Sequence, residues 1–125
     1  MNIAGLGGKR AVLGVSGGIA AYKVAAWVRN MVAEEAIVDV VMTAAAQRFV
    51  TPLTFEALSG NPVHCELFGD KAHGSMAHIS LASQADFILL APATANTIAK
   101  LAHGLADNLL TTTVLVAKVP VVVCP

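Results

Sequence analysis

The side chains with chemical promise gather where apolar runs give way to small and polar residues. The first such place is Ser16-Gly17-Gly18-Ile19-Ala20, which follows one apolar run and opens a helical pattern. Glycine lets the backbone approach an anion, and a helix N-terminus offers unpaired N–H groups at a positive dipole end. The spacing is not GxGxxG and Lys23 is not at a P-loop position, so the glycine pair reads equally as a tight turn. The second place is Thr43, at the carboxyl end of the next run. Neighbouring strand ends in a doubly wound sheet line one crevice, so Ser16 and Thr43 would face the same ligand. Alone, Thr43 reads equally as a helix cap. The third is Ala91-Pro92-Ala93-Thr94-Ala95-Asn96-Thr97, whose hydroxyls and amide suit a flat polar ring; it serves equally as a strand–helix connection with Thr94 as N-cap. The fourth is His78, in Met76-Ala77-His78-Ile79-Ser80-Leu81; a lone histidine beside apolar residues is more often structural or exposed than catalytic. His64, His73 and His103 are expected in solvent. His64-Cys65 and His73-x4-His78 lack the further ligands of a zinc site, so no metal is expected.

The elements that must position these residues alternate. Lys9 to Ser16, Ile37 to Met42, Asp86 to Ala91 and Val119 to Cys124 are short apolar or β-branched runs and predict strands. Between them, Ile19 to Glu35 carries Ile19, Tyr22, Ala26, Val28 and Val32 at helical spacing. Thr51-Pro52 opens a short helix that ends near Gly60-Asn61-Pro62. Met76 to Gln84, Thr94 to His103 (stopped by Gly104) and Asp107 to Val116 predict further helices. Val63 to Ser75, with Gly69-Asp70 and Gly74, reads as loop. Strands separated by helices of this length predict one domain, a three-layer α/β fold with a parallel, Rossmann-like (flavodoxin-like) sheet.

Composition agrees and excludes several function classes. The 125 residues include 23 Ala and 16 Val, small helix formers and β-branched strand formers suited to helices packed on a parallel sheet. Eight Lys+Arg balance eight Asp+Glu, and the cations are scattered, so no basic stripe awaits nucleic acid. The hydrophobic share of 56% excludes disorder, and charge of only 13% predicts surface covered by partner subunits. The longest apolar stretch, Val114 to Pro125, is interrupted by Lys118 and Pro120 and is too short to span a bilayer, which takes about 20 residues. No apolar signal core follows Met1. Cys65 and Cys124 form neither a disulfide framework nor a CxxC, which predicts a reducing cytoplasm.

Four ordered stretches go beyond these patterns. VLGVSGGIAAYK (Val12 to Lys23), VVMTAAAQRFVTPLTFEALSG (Val40 to Gly60), MAHISLASQADFILLAPATANTIAKLAHGLADNLL (Met76 to Leu110) and VPVVVCP (Val119 to Pro125) together resemble the homo-oligomeric flavin-containing cysteine decarboxylases. The run is most similar to the flavoprotein half of bacterial bifunctional phosphopantothenoylcysteine decarboxylase/phosphopantothenate–cysteine ligase. The resemblance implies that residues 1–125 are a flavoprotein domain. It implies FMN as cofactor, with Gly17, Gly18 and Thr43 at the phosphate, Ser16 beside them, and Thr94, Asn96 and Thr97 along the flavin and ribityl chain. His78 would match the catalytic histidine. Assembly as a trimer or a multiple such as a dodecamer is implied, with the site between adjacent subunits and the Asp107 to Val116 helix as a candidate contact. A fused ligase is implied for the natural full-length chain.

The activity implied is decarboxylation of 4′-phosphopantothenoylcysteine to 4′-phosphopantetheine in coenzyme A biosynthesis. In it, oxidised FMN takes two electrons from the substrate's cysteine side chain, CO2 leaves, and the electrons return. The family's last strand runs into Pro-Ala-Met-Asn and then a lid bearing a cysteine; Pro125 matches the first residue of that signature, and Cys124 is not the lid cysteine. A form lacking that asparagine and lid is expected to bind flavin and to decarboxylate poorly. Two alternatives stand beside this reading: a peptidyl-cysteine decarboxylase acting on a lantibiotic precursor, and a non-catalytic flavin-binding regulatory subunit. Prenyl-FMN-forming relatives fit less well, because their glycine loop differs and they lack the histidine.

Overall fold

The computed structural model describes residues 5–68 and 76–125. Four strands form one parallel sheet in the order β2-β1-β3-β4: β1 (Arg10–Val15), β2 (Ile37–Met42), β3 (Phe87–Leu90) and β4 (Val121–Val123). Register runs Leu13 beside Val40 on one flank and beside Leu89 on the other. Among the described residues, five α-helices cover the sheet: α1 (Ala21–Ala33), α2 (Pro52–Ser59), α3 (Ala77–Gln84), α4 (Ala95–Ala102) and α5 (Leu109–Val116). The three-layer α/β fold expected from the alternation is the fold observed.

Strand alternation sorts the core into two clusters. Ala11, Leu13 and Val15 of β1 point with Val38, Val40 and Met42 of β2 toward α1 and α2, around a fully buried Phe55. Val12 and Val41 point the other way, with Ile88 and Leu90, onto Leu81 of α3 and Leu109 and Leu110 of α5. Gly14 lies on that second face, where an added Cβ would stand 2.3 Å from Leu110 Cδ1 and 2.7 Å from Leu90 Cδ2. Its missing side chain lets α5 settle onto the sheet.

Several expectations shift. The first helix begins at Ala21, not Ile19, and its buried face is Ala21, Val24, Val28 and Met31. Ile19 and Tyr22 are exposed, because the chain is still turning through Gly18–Ala20 when it passes Ile19. The fourth strand is shorter than expected, and its three valines are exposed because it lies at the sheet edge. Within the expected loop Val63 to Ser75, His64 makes a parallel bridge with Val41 along the outer flank of β2: His64 N–H donates to Val40 O at 2.9 Å, and Met42 N–H to His64 O at 2.9 Å. His64 is therefore half-buried rather than solvated. The rest of that loop from residue 69, including His73, lies outside the described residues. Among the described residues, no helix is long and apolar enough to cross a membrane.

Candidate functional site

Three loops leave the carboxyl ends of β1, β2 and β3 and are sewn together by short-range polar bonds. Ser16 is the central stitch. Its backbone N–H donates to Pro92 O (3.2 Å), its hydroxyl donates to the same carbonyl, and its Oγ accepts the Thr94 N–H at 2.9 Å. Thr43 N–H donates to Val15 O at 3.0 Å, tying the second loop to the first. The third loop passes through a cis Ala91–Pro92 peptide, and Ala93 N–H donates to Cys124 O at 2.8 Å beyond β4.

Each loop then turns into its helix by a local device. Thr43 Oγ1 accepts the Ala46 N–H at 3.2 Å and holds the turn that leads into the short 3-10 segment Ala46–Arg48. Thr94 caps α4: its Oγ1 accepts the Thr97 N–H at 3.3 Å, and its hydroxyl donates to Thr97 Oγ1 at 3.2 Å. Asn108 caps α5 in a reciprocal box, its Oδ1 accepting the Thr111 N–H at 2.8 Å while Thr111 Oγ1 accepts the Asn108 N–H at 3.3 Å. In place of a helix beginning at Asp107, the cap falls on Asn108, which frees the Asp107 carboxylate to take Lys100 Nζ at 3.0 Å.

These loops enclose a cavity of about 340 Å³, near the lower end of the ~300–1,000 Å³ range of small-molecule sites. Five residues singled out from the sequence line it together: Gly17, Thr43, Thr94, Asn96 and Thr97. Ala44, Ala45, Lys100 and Asn108 complete the lining. Gly17 is where the first two loops come closest. A Cβ there would fall 2.4 Å from Ala45 Cβ and 2.9 Å from its carbonyl carbon, so any side chain would push the loops apart. Gly18 is off the cavity wall; a Cβ on it would make ordinary contact with Pro92 and Thr94 at 3.5–3.8 Å.

Besides Gly18, two expected site residues stand elsewhere. Ser16, 1% exposed, lies beneath the cavity with its hydroxyl engaged by its own chain, so it shapes the wall instead of facing into the space. His78 is the second residue of α3, half-buried, and is not part of this lining. The sequence reading missed Lys100 and Asn108. Lys100 sits three residues past Thr97 and four past Asn96, and that helical spacing is the signal that would have found it.

A family model described as Flavoprotein matches residues 4–125. The chain belongs to the Flavoprotein family. It is 52% identical over 120 residues to the Coenzyme A biosynthesis bifunctional protein CoaBC of Vibrio cholerae, covering 96% of this chain and 30% of that protein. The chain thus spans about a third of the length of such curated relatives. Among solved structures, the FMN-dependent cysteine decarboxylase SpaF superposes with a TM-score of 0.79 at 40% identity, covering 94% of this chain and 68% of that one. A PPC decarboxylase mutant complexed with pantothenoylaminoethenethiol superposes with a TM-score of 0.74 at 31% identity, covering 92% and 65%. Like those Flavoprotein-family structures, this chain has a parallel sheet with helices on both faces.

Proposed function

We propose that residues 1–125 are an FMN-binding decarboxylase domain acting on 4′-phosphopantothenoylcysteine in coenzyme A biosynthesis. The observation that carries this reading is the convergence of Gly17, Thr43, Thr94, Asn96 and Thr97 on one cavity, in a chain 52% identical to a protein named for coenzyme A biosynthesis. The residues fit the cofactor: the cavity wall is rich in hydroxyl and amide groups, and the side-chain-free position at Gly17 keeps the first two loops in contact. In this reading Gly17 and Thr43 hold the phosphate end, with Gly18, off the cavity wall, and Ser16 fixing the loop behind them. Thr94, Asn96 and Thr97 run along the ribityl chain and ring. FMN, when bound, supplies a reversible two-electron acceptor that makes the substrate's cysteine carboxylate easy to lose as CO2.

The chain's own part in the chemistry is to orient, to exclude water and to move a proton. His78 is the group for proton transfer or for orienting the substrate thiol and carboxylate near neutral pH. Because His78 is not on the cavity wall of its own chain, the reading places the complete site between subunits of a trimer or a multiple of trimers. The exposed apolar residues on α3 and α5, Ile79, Leu115 and Val116, support such cover. A water-soluble substrate and the scarcity of cysteine fit a cytoplasmic location.

A second substrate class stays beside this one: SpaF, named only as a cysteine decarboxylase, is 40% identical, against 31% for the PPC decarboxylase structure. A peptide ending in cysteine is the competing substrate, and the 52% identity to CoaBC outweighs it. The deciding experiment follows CO2 release from both substrates with the natural full-length protein. Turnover of 4′-phosphopantothenoylcysteine, with bound FMN visible in the absorption spectrum, is expected. His78→Asn should keep the flavin and lose about 100-fold or more in rate. A preference for the peptide would transfer the assignment to the second class, and a flavin-loaded protein inert to both would make it a non-catalytic subunit.

A further inference from the structure

Among the described residues, Lys100 is the single formally charged side chain on the wall of the site cavity, amid hydroxyls, amides and small residues. It belongs to the same stripe of α4 as Asn96 and Thr97, so one helix face carries a hydroxyl, an amide and a cation along the cavity. Its ammonium is held at 3.0 Å by Asp107, and the two side chains are 24% and 60% exposed. A carboxylate that open to water holds a cation loosely, since solvent and salt screen the pair. A phosphate entering the cavity offers more acceptor oxygens and greater charge.

Building on the FMN reading, we propose that Lys100 is the charge partner of the cofactor's phosphate, and that Asp107 presents the ammonium at the cavity until the phosphate takes it over. Asp107 then competes with the ligand: it keeps Lys100 extended and neutralises it while the cavity is open. Asn108, next in the chain, borders the same space and fixes where Asp107 can stand through its cap on α5.

The test is a fluorescence titration of the flavin-free protein with FMN and with riboflavin, which lacks the phosphate, at low and high salt. Lys100→Met should weaken FMN binding about 10-fold or more, the scale of a hydrogen bond to a charged group, and leave riboflavin binding unchanged. Lys100→Arg should recover most of the loss, and Asp107→Asn should tighten FMN alone. In the unaltered protein the preference for FMN over riboflavin should shrink as salt rises, a readout that needs no variant. Equal losses for both flavins in Lys100→Met, or no loss, would overturn the role of Lys100 while the cofactor assignment stands. An unaltered protein that binds neither flavin would overturn both.

Discussion

The two ends of the sheet are built on opposite electrostatic plans. At the amino end, Arg10 gathers charge: its guanidinium donates to Asp39 at 3.1 Å and to Gln84 at 3.0 Å, and its backbone N–H donates to the Asp86 carboxylate at 2.8 Å. That knot joins β1, β2 and the end of α3. At the carboxyl end the loops are joined by neutral groups, the Ser16 hydroxyl and backbone amides, and the cavity they form carries one cation. At the amino end the charges are held by partly buried partners. At the carboxyl end the scaffold is held by neutral bonds, and the one lysine on the cavity wall is paired only with the exposed Asp107.

Three substitutions put that contrast to the test. The largest effect is expected for Gly17→Val, which forces a side chain into the space of Ala45; overpacking of this kind costs about 1–3 kcal/mol. Denaturant unfolding should fall by that amount and FMN binding should disappear; retention of full affinity would show that the loops can separate without harm. Next is Ser16→Ala, which removes the acceptor of the Thr94 N–H and leaves the Pro92 carbonyl with the residue-16 backbone N–H alone, at about 1–2 kcal/mol. FMN affinity should fall although Ser16 does not line the cavity, and the measurement separates a positioning hydroxyl from an irrelevant one. The smallest is Arg10→Met, at about 1 kcal/mol, because the Arg10 side chain is a third exposed and water screens its pair with Asp39. Thermal unfolding should register this loss and flavin titration should not. A matching drop in flavin affinity would mean that the two ends are coupled through β1.

How much of this was legible in the sequence depended on how local each cause is. The strand Ile37–Met42 is read to the residue because its β-branched run and the Thr43 turn are contiguous. The second helix is bracketed by Pro52 and by Gly60, whose φ of +75° suits glycine. Apolar spacing misled for the first helix: Tyr22 and Ala26 fit a period, but the sheet selects Val24, Val28 and Met31. The valines of β4 look like core because nothing in their types tells an edge strand from a central one. At the site, five cavity residues were visible as loop-forming and capping types. The role of Ser16 was not, because its partners Pro92 and Thr94 lie 76 and 78 positions away. Nor was the hold of Asp107 on Lys100, which exists only once α4 has turned back into α5.

The edge strand Val121–Val123 bears on how the molecule behaves in a crowded solution. Its valines are 37–48% exposed, and it closes the strand order on its side of the sheet. A row of unpaired amides and carbonyls beside apolar side chains is a template on which another chain can add a strand. Pro120 stands just ahead of that row and lacks the N–H that would extend it in that direction. Lys118 places a charge just ahead. Lys118 and Pro120 act as gatekeepers at the entry to the strand, a charge and a missing N–H just ahead of Val121.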